Sequence, residues 1–198
     1  SEDEKGQISK KRQGVTRAVV LTLGDNTTGR DMVGTYMTAK ALMDAIPALE
    51  RDEIDVVVLR INSGGGALLE IQRLSDAIQN EYKKRFRVVA WIEWAISAAA
   101  MTAHCVNEIY MTPQGAYGGC TGWSGDLVAV KGFDLEKVLF QMEKITARGG
   151  HKPEIMRAMQ IMAPLSATVG QNGDVEFFQD TTSGKIKVNP EGRVLTLN

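Results

Sequence analysis

The stretch INSGGG at residues 61–66 closes an apolar, β-branched run at residues 54–62 and leads into a helical pattern at residues 67–82. The run predicts a buried strand, so the glycines lie at a strand-to-helix turn. Consecutive glycines let the backbone adopt conformations that side chains forbid, and let amide groups approach a ligand closely. The P-loop pattern and GxGxxG are both missing from this loop, which argues against a phosphate cradle. The loop therefore predicts either an oxyanion-binding site or a simple tight turn.

Strands and helices alternate on both sides of this loop. Further strands are predicted at residues 18–23, 87–94 and 108–112. Further helices are predicted at residues 30–46, 97–105, 134–146 and 153–162, with Pro47 ending the first and Asp134 capping the 134–146 helix. This alternation predicts an α/β fold of repeated βαβ units with a mainly parallel sheet. Sites in such sheets lie beyond the carboxyl ends of the strands, which here carry residues 62–66 and Ser97.

The chain of 198 residues is long enough for one domain with a sizeable core. Residues 1–14 are charged and without pattern, and predict a disordered leader. Residues 15–165 form the predicted α/β domain. In residues 166–198 the runs VEFFQD, KIKV and RVLTL are separated by turn signals, which predicts a small antiparallel β meander packed on the same domain.

Composition excludes several classes of function. A net charge of −1 gives no basic face for DNA or RNA, so no nucleic-acid partner is expected. The sequence has no run of eighteen apolar residues, so no transmembrane helix is predicted within it. Cys105 and Cys120 form no CxxC pair, so both are expected to be small buried side chains. No metal site is expected. Their spacing does not decide whether they form a disulfide, so it leaves the redox compartment and the localisation open.

Ser97 follows the predicted strand at residues 87–94 and precedes the run Ala98–Ala100. A serine in this position is usually a helix N-cap. The small alanines would let another stretch of backbone lie close by, and a helix N-terminus favours negative charge developing on a nucleophile. The residues alone leave both roles open.

The order of these two motifs carries a family resemblance. INSGGG is followed, about thirty residues later, by WAISAAAMTAHCVNEIYMTPQGAYGG at residues 94–119. This arrangement resembles the Clp proteolytic-subunit fold, a Clp/crotonase-like fold, and is most similar to the signal peptide peptidase A and NfeD-type membrane-associated proteases. The resemblance covers residues 18–162.

The resemblance implies a role for each matching residue. Ser97 matches the serine nucleophile, and the amides of Gly66 and Ala98 match the oxyanion-hole donors, with Gly64 and Gly65 supporting the loop. Gly64 stands where the family often has proline, and Ala99 where relatives often have glycine.

The proton acceptor is less well defined. A Clp-type triad would need histidine near position 122, where this chain has Gly122. Of the two histidines, His104 is expected to be packed in the interior and His151 to be exposed to solvent. The resembling proteases instead use a serine–lysine dyad, which implies Lys137 as the base, with Lys131 as the alternative.

The resemblance therefore implies a serine endopeptidase that acts on unfolded or hydrophobic, membrane-derived peptides and needs no metal or organic cofactor. It also implies a homo-oligomer, and membrane association through segments absent from this chain. Trp91, Trp94 and Trp123 flank the serine and either line a substrate groove or serve core or interface packing. Two alternatives stay open: a catalytically silent scaffold of the same fold, and an acyl-CoA enzyme of the crotonase type.

Overall fold

The computed structural model describes residues 14–122 and 131–198. The strands in these ranges are β1 Ala18–Leu23, β2 Val56–Ser63, β3 Arg87–Ile96, β4 Glu108–Gly118, β5 Leu165–Val169, β6 Val175–Phe178, β7 Ile186–Asn189 and β8 Thr196–Leu197. The α-helices are α1 Ala39–Arg51, α2 Leu68–Ala77, α3 Lys83–Arg85, α4 Ala98–Ala103, α5 Gly132–Gly149 and α6 Pro153–Gln160. A 3-10 turn at Asn26–Thr28 follows β1, and a π-helical turn at Ile78–Tyr82 joins α2 to α3.

The main sheet has the strand order β1-β2-β3-β4-β8, with β1 to β4 parallel and β8 antiparallel. Alternate residues of β2 (Val57, Leu59 and Ile61) are almost fully buried against the helices. Burying them stabilises the fold by roughly 1.5–3 kcal/mol per side chain. The predicted α/β fold with a mainly parallel sheet is therefore confirmed.

The other face of this sheet carries Trp91 and Trp94, which are 37% and 40% exposed. The Arg60 guanidinium lies over the Trp91 ring at 5.9 Å and makes two hydrogen bonds of 2.8 Å to the Glu93 carboxylate. These two tryptophans are therefore not core residues of this chain. Trp123 lies outside the described residues.

The first helix differs from its prediction. It begins at Ala39, where the Thr38 hydroxyl accepts the Ala41 N–H at 3.2 Å, and it runs through Pro47 to Arg51. Residues 30–37 are not helical because Val33 instead forms a β-bridge to the glycine loop at Gly66. The prediction that Pro47 ends the helix was wrong, since the buried side chains of α1 continue beyond it.

Helix α5 also differs from its prediction. It begins at Gly132 after Lys131 in the N-cap position, so Asp134 lies inside the first turn and is not the cap. The helix continues to Gly149 and ends at Gly150, whose left-handed conformation (φ 69°) suits a helix C-terminus.

The C-terminal residues form two structures. β5 lies between β6 and β7 in a separate antiparallel sheet, as expected for a small second sheet, but its central strand at Leu165–Val169 was not predicted. The last predicted strand leaves this sheet, and β8 pairs with Tyr117 and Gly118 of β4. The domain limits at residues 15, 165 and 166 stay a prediction, and the predicted leader lies outside the described residues except for Gly14.

Neither cysteine is in a disulfide, and both are buried, as predicted. Burial raises the pKa of both thiols. Among the described residues, the helices are all too short or too polar to cross a membrane.

Candidate active site

The two predicted site segments meet at one edge of the sheet. Ser97 follows β3, and the glycine loop follows the adjacent strand β2. The contact is so close that a Cβ atom on Gly65 would lie 2.7 Å from the Ser97 Cβ and 2.8 Å from the Ile96 carbonyl oxygen. The chain can therefore place a backbone directly against the serine only because residue 65 is glycine.

Irregular strand pairing precedes both segments. The register of β2 against β3 shifts between Ile61 and Asn62, and that of β3 against β4 shifts between Ile92 and Trp94. Such bulges bend a strand and redirect the residues that follow. They set the direction in which the chain enters the glycine loop and Ser97.

Ser97 lies on a strained strand-to-helix turn. Its backbone has φ 56° and ψ −125°, and Glu53 is the other non-glycine residue with positive φ in the described ranges. Such a conformation costs about 1–3 kcal/mol and is found mainly where the surrounding structure enforces it. The Ser97 N–H donates to the Gly118 carbonyl at 3.0 Å, and the Ser97 carbonyl accepts the Met101 N–H at 3.0 Å.

The Ser97 side chain does not cap α4. The helix has no side-chain hydrogen bond at its N-terminus, and Ser97 is half-buried. Ala98, Ala99 and Ala100 are fully buried, so these small residues let α4 pack tightly in the core. The usual structural role of a serine before a helix is therefore not the one played here.

The amides of the glycine loop differ in their partners. The Gly64 N–H donates to the Asp31 carboxylate at 2.7 Å. The Gly65 N–H donates to the Ser63 hydroxyl at 3.1 Å. The Ala67 N–H, directly after the glycines, donates to the Val33 carbonyl at 2.9 Å. Within residues 14–122 and 131–198, the N–H groups of Gly66 and Ala98 have no hydrogen-bond acceptor. These two are the amides that the resemblance assigns to the oxyanion hole.

Two contributors to the loop were missed in the sequence. Asp31 is 33 residues from Gly64, and it lies in a segment that had been predicted to be helical. Ser63 was part of the quoted motif, but its hydroxyl was not expected to fold back onto Gly65. No local pattern identifies either contact, because both depend on where residues 30–37 cross the sheet edge.

The two candidate lysines belong to the start of α5. Lys131 occupies the N-cap position, directly after the segment that the structure leaves undescribed, and is exposed. Lys137 is in the second turn, with its amine 3.5 Å from the Asp134 carboxylate and its side chain 61% exposed. Because α5 begins at Gly132 and not at Asp134, Lys137 lies one turn deeper in the helix than a cap at Asp134 would place it, and Lys131 is the candidate nearer the helix N-terminus.

The histidines lie at the opposite end of α4 from Ser97. His104 is buried at the C-cap, as predicted, and its Nδ1 contacts the Tyr117 hydroxyl. Burial, with a smaller effect of His151, lowers the pKa of His104 to about 3. His151 was predicted to be solvated, but it is half-buried with Nε2 2.6 Å from the Val106 carbonyl oxygen.

Among the described residues, no three His, Cys, Asp or Glu side chains are grouped so that they could hold a metal ion. The site consists of a serine on a strained turn, a glycine loop pressed against it and two amides that are unpaired within residues 14–122 and 131–198. Such an arrangement can support attack on a carbonyl group and stabilise the oxyanion that forms.

Solved structures share this fold. A serine-to-alanine variant of the 1510-N membrane-bound stomatin-specific protease has a TM-score of 0.61 and 14% identity, over 74% of this chain and 70% of that protein. A lysine-to-alanine variant of that protease, solved in complex with a substrate peptide, has a TM-score of 0.59 and 14% identity, over 75% and 67%. ClpP1 from Listeria monocytogenes has a TM-score of 0.52 and 15% identity, over 71% and 77%.

The chain therefore has the fold of the Clp-type serine peptidases, and the predicted resemblance is confirmed at the level of the fold. No family model matches the sequence, and no curated protein matches it either. At 14–15% identity the roles of individual residues do not follow from the fold alone.

Proposed function

We propose that the chain is a serine peptidase with Ser97 as its nucleophile. One observation carries the proposal: Ser97 lies on a strained turn, makes no capping bond and is pressed against Gly65. A serine that served only packing would not need a costly backbone conformation. The likeness to peptidases of the same fold supports the same function.

The proposed reaction begins with attack of the Ser97 hydroxyl oxygen on a peptide carbonyl carbon. The hydroxyl proton passes to a base, and the carbonyl oxygen becomes an oxyanion that accepts the N–H groups of Gly66 and Ala98. Collapse of the tetrahedral intermediate breaks the C–N bond, and the leaving amine takes a proton from the base. Water then hydrolyses the acyl-enzyme by the same steps in reverse order.

The base in this proposal is a lysine, because the chain's two histidines lie at the far end of α4 or beyond it. Lys137 and Lys131 are the candidates, with Lys137 kept as the first choice and Lys131 as the alternative. A lysine acts as a base only when its amine is neutral. Closure of the site around a bound peptide would remove water from whichever lysine serves.

Hydrophobic peptides are the proposed substrates. Exposed apolar side chains flank the glycine loop: Leu69 in the first turn of α2 is 86% exposed, and Met32 and Tyr36 are 55% and 52% exposed. The Met32 Cγ lies 3.1 Å from where a Gly66 Cβ would be. These side chains could contact apolar residues of an unfolded or membrane-derived peptide.

We also propose that the active form is a homo-oligomer, as the resemblance implies.

Labelling with a fluorophosphonate probe tests this proposal. Wild type should be labelled, Ser97→Ala should not, and Ser183→Ala should be labelled like wild type because Ser183 belongs to the small sheet's loop. Lys137→Ala and Lys131→Ala, assayed on an unfolded apolar peptide, identify the base as the variant that loses hydrolysis. Labelling that persists in Ser97→Ala would refute the assignment. Failure of wild type to label or to hydrolyse peptides would favour the catalytically silent scaffold.

A further inference from the structure

The conformation of the glycine loop depends on one carboxylate outside it. We infer that Asp31 is a positioning residue that fixes the oxyanion loop by accepting the Gly64 N–H. The inference rests on the proposed peptidase function. Its structural part, the ordering of the loop by Asp31, can be tested separately.

Asp31 holds the loop at two points. Its carboxylate Oδ2 accepts the Gly64 N–H at 2.7 Å, and its backbone carbonyl accepts the Ser63 hydroxyl. The Ser63 oxygen in turn accepts the Gly65 N–H at 3.1 Å. One residue therefore engages the first two amides of the glycine run, directly and through one hydroxyl. The bond to the carboxylate is charge-assisted and so is stronger than one between neutral groups.

Val33, two residues after Asp31, holds the other side of the loop. Its N–H donates to the Gly65 carbonyl at 2.9 Å, and its carbonyl accepts the Ala67 N–H at 2.9 Å. A Cβ on Gly66 would lie 2.7 Å from the Val33 nitrogen, so the two backbones are in direct contact. The bonds on both sides fix the peptide planes around Gly66 and leave its own N–H without an acceptor in the described ranges.

The identity of residue 64 explains why such a contact is needed. Proline restricts φ and has no N–H, so a proline loop needs no partner there. Gly64 has an N–H to satisfy and the greatest backbone freedom to lose. Its φ is not in the left-handed region, and a Cβ would meet only the Asp31 carboxylate at 3.4 Å. Ser63 before it is in an extended strand, as a residue before proline should be. A proline at position 64 would put its Cδ where the N–H now meets the Asp31 carboxylate at 2.7 Å, so the carboxylate would have to move away and would have no donor there.

The experiment is a double-mutant cycle on Asp31 and Gly64. Asp31→Ala should slow Ser97-dependent labelling and lower kcat about ten-fold with little change in KM, because it removes one ordering bond of the oxyanion loop. Asp31→Asn keeps an oxygen acceptor and should stay within about three-fold of wild type. In a Gly64→Pro background the donor is gone and the ring displaces the carboxylate, so Asp31→Ala should lower kcat less than about two-fold. Asp25→Ala is the matched control, since within the described ranges the hydrogen bonds of that carboxylate go to Thr27 and Thr28 in its own turn and not to the glycine loop.

Amide hydrogen exchange gives a readout that does not depend on catalysis. Asp31→Ala should speed exchange of the Gly64 and Gly65 amides about ten-fold or more, while Asp25→Ala leaves them unchanged. Unchanged exchange in Asp31→Ala, or an equal loss of kcat with proline and with glycine at position 64, would overturn the inference. Absent labelling of wild type together with faster loop exchange would instead reject the peptidase function and leave the ordering role of Asp31 in place.

Discussion

His104 should make the stability of this protein strongly dependent on pH. It is one of two histidines in the chain, it is 3% exposed, and its Nε2 is buried without a partner in the described ranges. Burial lowers its pKa from 6.5 to about 3. The unfolded chain takes up a proton at this residue below about pH 6.5, but the folded chain does not until about pH 3. Neutral His104 therefore makes its full contribution to the free energy of unfolding above pH 6.5, the pKa of this residue in the unfolded chain. The contribution is lost as the pH falls towards about 3, its pKa in the folded chain.

The size of the effect follows from the difference between the two pKa values. Between these two pKa values, each unit by which the pH falls lowers the free energy of unfolding by about 1.4 kcal/mol per proton taken up. From about pH 7.5 to about pH 5, before most carboxylates titrate, the loss from His104 alone amounts to about 2 kcal/mol. The free energy of unfolding of a domain is typically about 5–15 kcal/mol, so a loss of this size is readily measured.

Urea unfolding at a series of pH values is the assay, with His104→Asn as the test variant and His151→Asn as its matched control. Wild type should lose about 2 kcal/mol over the window, whereas His104→Asn should lose less than about 0.5 kcal/mol. His151→Asn should keep most of the wild-type dependence, because burial is the larger cause of the low His104 pKa. If His104→Asn keeps the full dependence, or if His151→Asn removes it, the reasoning is wrong.

Two substitutions at the candidate site test its backbone. Ser97→Gly should raise the free energy of unfolding by about 1 kcal/mol relative to Ser97→Ala, because glycine tolerates φ 56° without strain. Equal urea midpoints for these two variants would show that the backbone at position 97 is not strained. Gly65→Ala should lower the free energy of unfolding by about 2–4 kcal/mol and abolish probe labelling, because its φ is 106° and its new methyl would lie 2.7 Å from the Ser97 Cβ. Wild-type stability and labelling in Gly65→Ala would show that the close contact is not required.

The parts of the fold that were predicted correctly depend on local patterns. The apolar β-branched runs identified β1 to β4, and their alternation with helices predicted the parallel sheet. Because the carboxyl ends of neighbouring parallel strands meet at one edge, the pairing of Ser97 with the glycine loop also followed from the order of the motifs.

The parts that were predicted wrongly depend on contacts between distant residues. Met32, Val33 and Tyr36 have helical spacing, but Val33 bridges to Gly66 across the sheet edge and the segment is not a helix. The final strand was assigned to the small sheet by its turn signals, yet β8 pairs with β4 about eighty residues earlier. Periodicity carries no information about either pairing.

Several irregular features of the main sheet lie together at the edge where β2 and β3 end. Two register shifts, the positive φ of Ser97 and the contact of Gly65 with that serine all lie there. Real proteins depart from regular geometry mainly where function requires it. A turn with only a structural role could use a glycine at position 97 at lower cost, because glycine has no Cβ to strain. The chain instead keeps a strained serine, and the Asp31 carboxylate binds the neighbouring loop at the Gly64 N–H. The proposed peptidase function accounts for this combination, because it requires a precisely placed hydroxyl and the Gly66 and Ala98 amides, which have no acceptor within the described ranges.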